Sequence, residues 1–430
     1  MDATTYQDYV NILHEELVPA MGCTEPIAIA YAAAVARQTL GRPAQRMEVE
    51  ASGNIIKNVK SVFVPNTGGL RGIPAAAAAG MAAGDPALEL EVLSSIGEGE
   101  QAAIRQYLAD TPIAVKLADS PFIFDIAIRA WAGEDSALVR IVNYHTNIVR
   151  VERNGQVLKE VEAQAAAEEG LTDKSVLTVE GILEFAREAA LADVEEAVGR
   201  QVRYNTAIAQ EGLRGDYGAN IGKVLLATYG DDVKIRAKAM AAAGSDARMN
   251  GCGLPVVIVS GSGNQGLTAS LPVVEYAKEL GADWETTLRA VLVSDLVTIH
   301  LKAEIGRLSA YCGAVSAGCG SGAGIAWLYG REKEPQALLK DVSHTIVNAL
   351  AVDSGIVCDG AKASCAAKIA SAVDAGLLGF YMYQNGQQFR GGDGIISKGV
   401  EETIRNIGLL ATQGMRETDR EILDIMTTRC

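Results

Sequence analysis

The sequence predicts an α+β protein, in which a mainly helical body carries a smaller mixed α+β domain. Two observations support this. Short β-type runs crowd between about residues 46 and 165, and from about residue 175 onward apolar residues recur with helical period. A third observation bounds the size: 430 residues with 49% hydrophobic content can bury a large core and favour two or three domains over one.

Residues 1–45 read as two helices, Thr5 to Leu17 and Pro26 to Leu40, joined by the turn from Val18 to Glu25, and are expected to pack with the helical domain. Thr24 can cap the second helix, Glu25 suits its positive end and Pro26 fits its first turn, so Cys23 stands just ahead of a helix N-terminus. The domain at 46–165 follows. Its β-type runs are Met47 to Ala51, Ile113 to Leu117, Ile123 to Trp131 and Ala137 to Tyr144, and its helical stretches are Pro74 to Ala83 and Glu98 to Leu108. Ile148 to Leu158 is a hairpin around Asn154-Gly155, a strong short-range turn signal.

A hydrophilic joint, Glu168 to Lys174, leads into the helical domain at 175–430. Helical periodicity covers Val179 to Leu191, Val194 to Glu211, Asp232 to Ala242, Pro272 to Leu280 and Trp284 to Cys312. Most glycines fall between these helices, in Ser-rich loops suited to building a site.

With 38 Lys and Arg against 53 Asp and Glu, the net charge of −15 argues against nucleic-acid or anionic-membrane partners, which need basic patches. Small metabolites fit better. The apolar runs at Pro26 to Ala36 and Ile73 to Ala83 are shorter than the roughly 20 residues that cross a bilayer. The N-terminal stretch has no export-signal pattern, so a cytoplasmic protein without membrane spans is expected.

Seven cysteines in such a chain point to free thiols, metal ligands or catalytic thiols rather than disulfides. Cys319 lies in what reads as a glycine-rich break between two helical stretches, and Cys358 and Cys365 flank the start of the next helix. Helix N-termini lower thiol pKa and stabilise anionic sulfur. The spacing matches neither ferredoxin runs nor paired zinc knuckles, and any one of these cysteines alone reads sooner as a small core residue than as a ligand.

Two loops offer backbone N–H groups and short polar donors of the kind that bind carboxylates: Ser52-Gly53-Asn54 with Lys57, and Ser262-Gly263-Asn264-Gln265-Gly266 with Thr268. The second precedes a helix expected to open near Pro272. Arg71 reads as a solvated residue, and His300 with Glu304 shares a helix face without a metal motif. Cys312 reads as a packed thiol and Cys430 as a frayed terminal residue.

Five motifs in order, Met21-Gly22-Cys23-Thr24-Glu25-Pro26, Ser52 to Asn58, Gly261 to Ser270, Ile305 to Gly313 and Cys358 to Cys365, resemble the L-cysteine desulfidase family, which is related to the alpha subunit of iron-sulfur L-serine dehydratases. The resemblance covers nearly the whole chain. It implies a serine-dehydratase-alpha-like helical domain and a [4Fe-4S] cluster held by three thiolates, mapped onto Cys319, Cys358 and Cys365, with one iron open as a Lewis acid. It further implies β-elimination of a small amino acid, L-cysteine to pyruvate, ammonia and sulfide, with Cys23 as base or cluster-directed thiol. L-serine dehydration is the alternative inside the class. A non-catalytic iron-sulfur sensor and a structural zinc site on the same cysteines are the rivals outside it. A homodimer is the expected assembly on general grounds.

Overall fold

The computed structural model describes residues 1–164 and 170–428. Cys430 and the first residues of the joint expected at Glu168 to Lys174 lie outside the described residues. The α+β architecture is present: a six-stranded sheet and a short two-stranded one stand beside an extensive helical bundle.

The chain opens with α1 (Ala3–Glu16), capped by Asp2, whose carboxylate accepts from the backbone N–H of Thr4 and Thr5. Strand β1 (Pro19–Met21) then leads into α2 (Thr24–Leu40). The N-cap of α2 is Cys23 rather than Thr24, and no side chain caps it; the Thr24 hydroxyl donates instead to the carbonyl of Gly261 at 2.9 Å. Helix α2 is Ala-rich and apolar nearly all round, so it is buried on several sides.

The mixed region contains β2 (Arg46–Ala51), α3 (Gly53–Val59), α4 (Gly72–Ala83), α5 (Glu98–Asp110), β3 (Ile113–Leu117), β4 (Asp125–Ala132), β5 (Asp135–Val142), β6 (Ile148–Arg153) and β7 (Gln156–Glu160). The sheet order is β3-β2-β4-β5-β6-β7, antiparallel except for the parallel β2–β3 pair. Alternation sets its two faces. Ile126, Ile128 and Ala130 of β4, with Val139 and Ile141 of β5, are fully buried towards α2, which also carries α4 on its back. Residues 1–45 therefore divide: α1 lies on the helical bundle, whereas the apolar α2 is claimed by the sheet.

The bundle comprises α6 (Val179–Glu188), α7 (Leu191–Arg214), α8 (Ile221–Tyr229), α9 (Val233–Met249), strand β8 (Pro255–Val257), α10 (Gly263–Glu279), α11 (Trp284–Ile305), α12 (Gly313–Gly330), α13 (Pro335–Val352), α14 (Cys365–Gln384), α15 (Val400–Leu409) and α16 (Arg416–Thr428). Helix α10 begins at Gly263, nine residues ahead of the expected Pro272, which sits inside it. Helix α11 stops at Gly306, whose φ of 84° favours glycine, so it does not run on to Cys312.

At the centre is α12, packed against α10, α11, α13 and α14. Its glycines do not break the helix. They let neighbouring backbones touch it: a Cβ on Gly318 would stand 2.2 Å from the carbonyl oxygen of Ala372 on α14, and one on Gly320 would stand 2.4 Å from that of Ser294 on α11. Helix α14 is long and apolar enough to cross a bilayer, yet it lies against α9, α12 and α13 with one face in the core.

Candidate active site

Strand β1 pairs antiparallel with β8, Ala20 opposite Val256, and this two-stranded clasp sets the turn at residues 22–25 against the loop at residues 260–265. A cavity of about 100 Å³ opens there. Cys23 and Glu25 line it from the start of α2, His145 from the loop after β5, and Arg248 from the end of α9. Ser262, Asn264 and Gln265 come from the start of α10, Cys312 from the N-cap of α12, and Cys358 and Cys365 from the approach to α14. A larger cavity of about 360 Å³ lies on the other face of the sheet, but its charges already pair internally, Arg140 with Asp125 at 2.6 Å and Arg150 with both Glu152 and Glu160.

Cys312, Cys358 and Cys365 share this cavity. The Cys358 N–H donates to the carbonyl of Ala310 at 2.7 Å and the Cys312 N–H to that of Ile356 at 2.9 Å, a bridge that fixes the two backbones side by side. The Cys312 thiol shares its proton with Cys358. That hydrogen bond, helped by Lys57, the Gly360 N–H and Lys368 against the opposing effect of burial, holds the Cys358 thiol well below its ordinary pKa. Cys312 keeps its proton and is pushed up. Cys365 is the first residue of α14 and makes only a long 3.7 Å contact to the carbonyl of Gly360.

Cys319 is not among them. It lies in the interior of α12, 1% exposed, and does not line the cavity; burial, then the charge of Asp353, raises its pKa. Cys312, expected from the sequence to be a packed thiol, instead lines the cavity with Cys358 and Cys365. The glycines around Cys319 mark close helix packing, not a loop.

Cys23 does line the cavity, yet as a thiol and not a thiolate. Burial first, and then the charge of Glu25, raises its pKa well above the ordinary value, and it donates to Glu25 Oε2 at 3.0 Å. The positive end of α2 is outweighed by burial and then by the carboxylate in the same first turn. Glu25 also accepts from Asn58 Nδ2 at 2.9 Å, and the Thr24 hydroxyl, 3.1 Å away, shares its one proton between Glu25 and the Gly261 carbonyl. Burial opposes its ionisation, but His145, the Cys23 hydrogen bond and Arg248 hold it below the usual carboxylate range.

His145 is 4% exposed, packs edge-on against Phe124 with centroids 4.8 Å apart, and has no partner at Nε2. Burial lowers its pKa to about 4, with Glu25 pulling the other way, so the ring is neutral at pH 7. Arg248 is 2% exposed, donates from Nη1 to Asn264 Oδ1 at 3.1 Å, and leaves Nε unpaired. Its guanidinium lies on Gly263, where a Cβ would come within 2.3 Å of Nε. None of Glu25, His145 or Arg248 carried a functional signal in the sequence beyond the charge of Glu25 at a helix start.

The two Gly/Ser/Asn loops separate in role. Ser262, Asn264 and Gln265 line the cavity, and Gln265 Oε1 is unpartnered, but Thr268 turns its hydroxyl back onto the carbonyl of Asn264 at 2.7 Å. Ser52, Asn54 and Lys57 do not line it. The Ser52 hydroxyl donates to the carbonyl of Ile123 at 2.7 Å, while Asn54 and the buried Lys57 hold Asp419 of α16 at 2.7 and 2.5 Å. That stretch forms the short helix α3, and its polar groups face the C-terminal helix. His300 pairs with Glu401 at 2.6 Å rather than with Glu304, and exposed Arg71 stacks over Phe63.

A helical bundle that gathers free thiols and buried charges at the starts of α2, α10, α12 and α14 has the composition of a small-molecule active site. The chain belongs to the serine dehydratase alpha chain family, whose model matches residues 87–424. It is 58% identical to a UPF0597 protein of Desulfitobacterium hafniense strain Y51 over 99% of this chain and 97% of that one. It is 51% identical to a UPF0597 protein of Lachnoclostridium phytofermentans, covering 98% and 99%, and 39% identical to one of Aeromonas salmonicida, covering 99% and 97%.

Proposed function

We propose that this protein is an iron-sulfur lyase that opens L-cysteine to pyruvate, ammonia and sulfide. The observation that carries the reading is the meeting of Cys312, Cys358 and Cys365 in one small cavity with the unpartnered ring nitrogen of His145.

The donor set fits a [4Fe-4S] cluster. Four thiols line one space, Cys312 and Cys358 are hydrogen-bonded to each other, Lys57 and Lys368 supply positive charge to Cys358, and Cys365 is only loosely engaged, whereas Cys23 is tied to Glu25. Among the described residues no three His, Cys, Asp or Glu side chains already stand at metal-holding separation. Seating the cluster therefore asks the thiols to come closer together than they stand here. When bound, a cluster with three protein ligands supplies an open iron that polarises a carboxylate or a leaving heteroatom.

The chain's own residues supply the rest. His145, neutral at pH 7, takes the Cα proton at Nε2, and the nearby carboxylate of Glu25 stabilises the imidazolium as it forms. The electron pair from the Cα–H bond makes the Cα–Cβ double bond as the Cβ–S bond breaks and sulfide leaves. The resulting aminoacrylate takes a proton at Cβ to become the imine, and water hydrolyses it to pyruvate and ammonia. Cys23, as a thiol, is a proton carrier beside Glu25 rather than the base.

L-serine dehydration is the second reading, and the family to which the chain belongs favours it. One β-heteroatom separates the two substrates. Anaerobically reconstituted protein given each amino acid in turn, with pyruvate and sulfide measured, decides between them. Pyruvate from L-cysteine with equimolar sulfide is expected, and pyruvate from neither amino acid with a full cluster in place would sink the lyase reading.

A further inference from the structure

Two buried charges of opposite sign face the same small cavity and feel each other's charge, but among the described residues neither makes an ion-pair contact within 4 Å. Among the described residues Arg248 forms no ion pair within 4 Å, its Nη1 donates to the neutral Asn264 Oδ1, and its Nε has no hydrogen-bond acceptor. Glu25 is held by the neutral donors Cys23, Thr24 and Asn58, and by no cation within 4 Å among the described residues. Beside them stand two unpartnered acceptors, Asn58 Oδ1 and Gln265 Oε1. A buried ion without a counter-ion is costly, and each orphan polar atom adds to that cost. The arrangement is economical only if something in the cavity completes it. An anion must meet Arg248, and a cationic N–H donor must meet Glu25 and the orphan amide oxygens.

We infer that Arg248 and Glu25 together read the zwitterionic head of the substrate, Arg248 binding the α-carboxylate and Glu25 the α-ammonium. This rests on the lyase reading for the identity of the substrate, and it assigns recognition to residues outside the thiol set. Both are positioned from behind. The guanidinium lies against Gly263 and is steered by Asn264, while Asn58 and Thr24 fix the two oxygens of Glu25. A molecule with only one of the two charges leaves the other buried ion uncompensated. The site thus rejects it for the same reason that a site built around a polar group rejects analogues lacking that group.

The test uses the full chain purified anaerobically without added iron, so that binding is read apart from turnover. L-serine, ethanolamine, which lacks the carboxylate, and 3-hydroxypropionate, which lacks the ammonium, are titrated calorimetrically. The wild type is expected to prefer L-serine over each analogue by at least about a hundredfold. In Arg248→Met the preference over ethanolamine collapses while that over 3-hydroxypropionate persists, and in Glu25→Gln the reverse holds. Because each preference is a ratio within one sample, partial unfolding of a variant does not mimic it. Wild type that binds none of the three, that binds an analogue as well as L-serine, or variants that weaken all three ligands alike would overturn the assignment. Iron content measured in parallel after reconstitution separates a further outcome: Arg248→Met that loses its iron but keeps both preferences makes Arg248 a counter-charge to the cluster, against the proposal. Zwitterion binding without turnover in the loaded protein would sink the lyase reading and leave this one standing.

Discussion

Replacing Asp295 with Asn should make the protein less sensitive to alkali, by an amount that follows from one buried contact. Asp295 lies in the interior of α11 with no exposure, and its Oδ1 accepts from Gln201 Nε2 at 2.8 Å. Its Oδ2 and Gln201 Oε1 are both unpartnered, a mismatch that a proton on the carboxyl repairs by letting Oδ2 donate to the amide oxygen. Burial accordingly raises its pKa to about 8, against the lowering effect of the Gln201 hydrogen bond. The folded pKa stands above the unfolded one, so between roughly pH 4 and pH 8 the folded state holds a proton that the unfolded chain has released. The contribution is full below the unfolded pKa and is lost as pH rises through the folded one, at about 1.4 kcal/mol per pH unit. Asn at this position makes the same two hydrogen bonds without titrating. Urea unfolding of both proteins at about pH 6 and about pH 7.5 should therefore show Asp295→Asn gaining about 2 kcal/mol on the wild type across that interval. Parallel pH profiles would refute the reasoning.

The remaining expectations concern the site and the helices that hold it. Cys312→Ser should lose most of its iron after anaerobic reconstitution, while Cys319→Ser keeps it; iron and sulfide analysis checks both, and the opposite pattern would restore Cys319 as a ligand. His145→Asn should retain its cluster and lose at least about a hundredfold in turnover, read as pyruvate release alongside the iron content. Gly318→Ala should cost about 1–3 kcal/mol, because its methyl would stand 2.2 Å from the Ala372 carbonyl oxygen, and it should lower iron content by shifting α12 against α14. Gly99→Ala, on α5 with open space around it, is the control, expected to be neutral or slightly stabilising in the same thermal melt.

Local signals were legible in the sequence wherever one residue type dictated the backbone. Asn154-Gly155 turns the hairpin between β6 and β7, and the run Ile113–Leu117 is strand β3. Helix α14 starts at Cys365, as the pattern around it implied. What failed was the meaning of glycine inside the bundle. Gly318, Gly320, Gly322 and Gly324 read as a break when counted by propensity, but they are demanded by carbonyl groups of other helices, information that lives only in tertiary packing. The resemblance implied Cys319 as a cluster ligand, and this packing keeps it inside α12 while Cys312 lines the cavity. The expected boundary at Pro272 failed for a related reason: the packed core retains a helix that a proline would end in isolation. Arg248 and His145 were invisible because a buried charge is recognisable by what surrounds it, and their surroundings arrive from distant parts of the chain. Ser52, Asn54 and Lys57 looked like an anion loop, and their donors are spent on Asp419.

The clasp between β1 and β8 has a consequence for how the protein is made. Thr24 and the Gly261 carbonyl it holds are 237 residues apart in sequence, and Cys365 comes later still. During synthesis the segment carrying Cys23 and Glu25 emerges early and must wait for β8 before it has a partner, a long-range closure of the kind that folds slowly. Until then Cys23 stands in water as an ordinary oxidisable thiol, and Cys312 and Cys358 do so in turn until α14 closes on α12. A nascent chain therefore passes through an interval in which its site is least protected, and oxidant met in that interval reaches cysteines that the finished fold encloses.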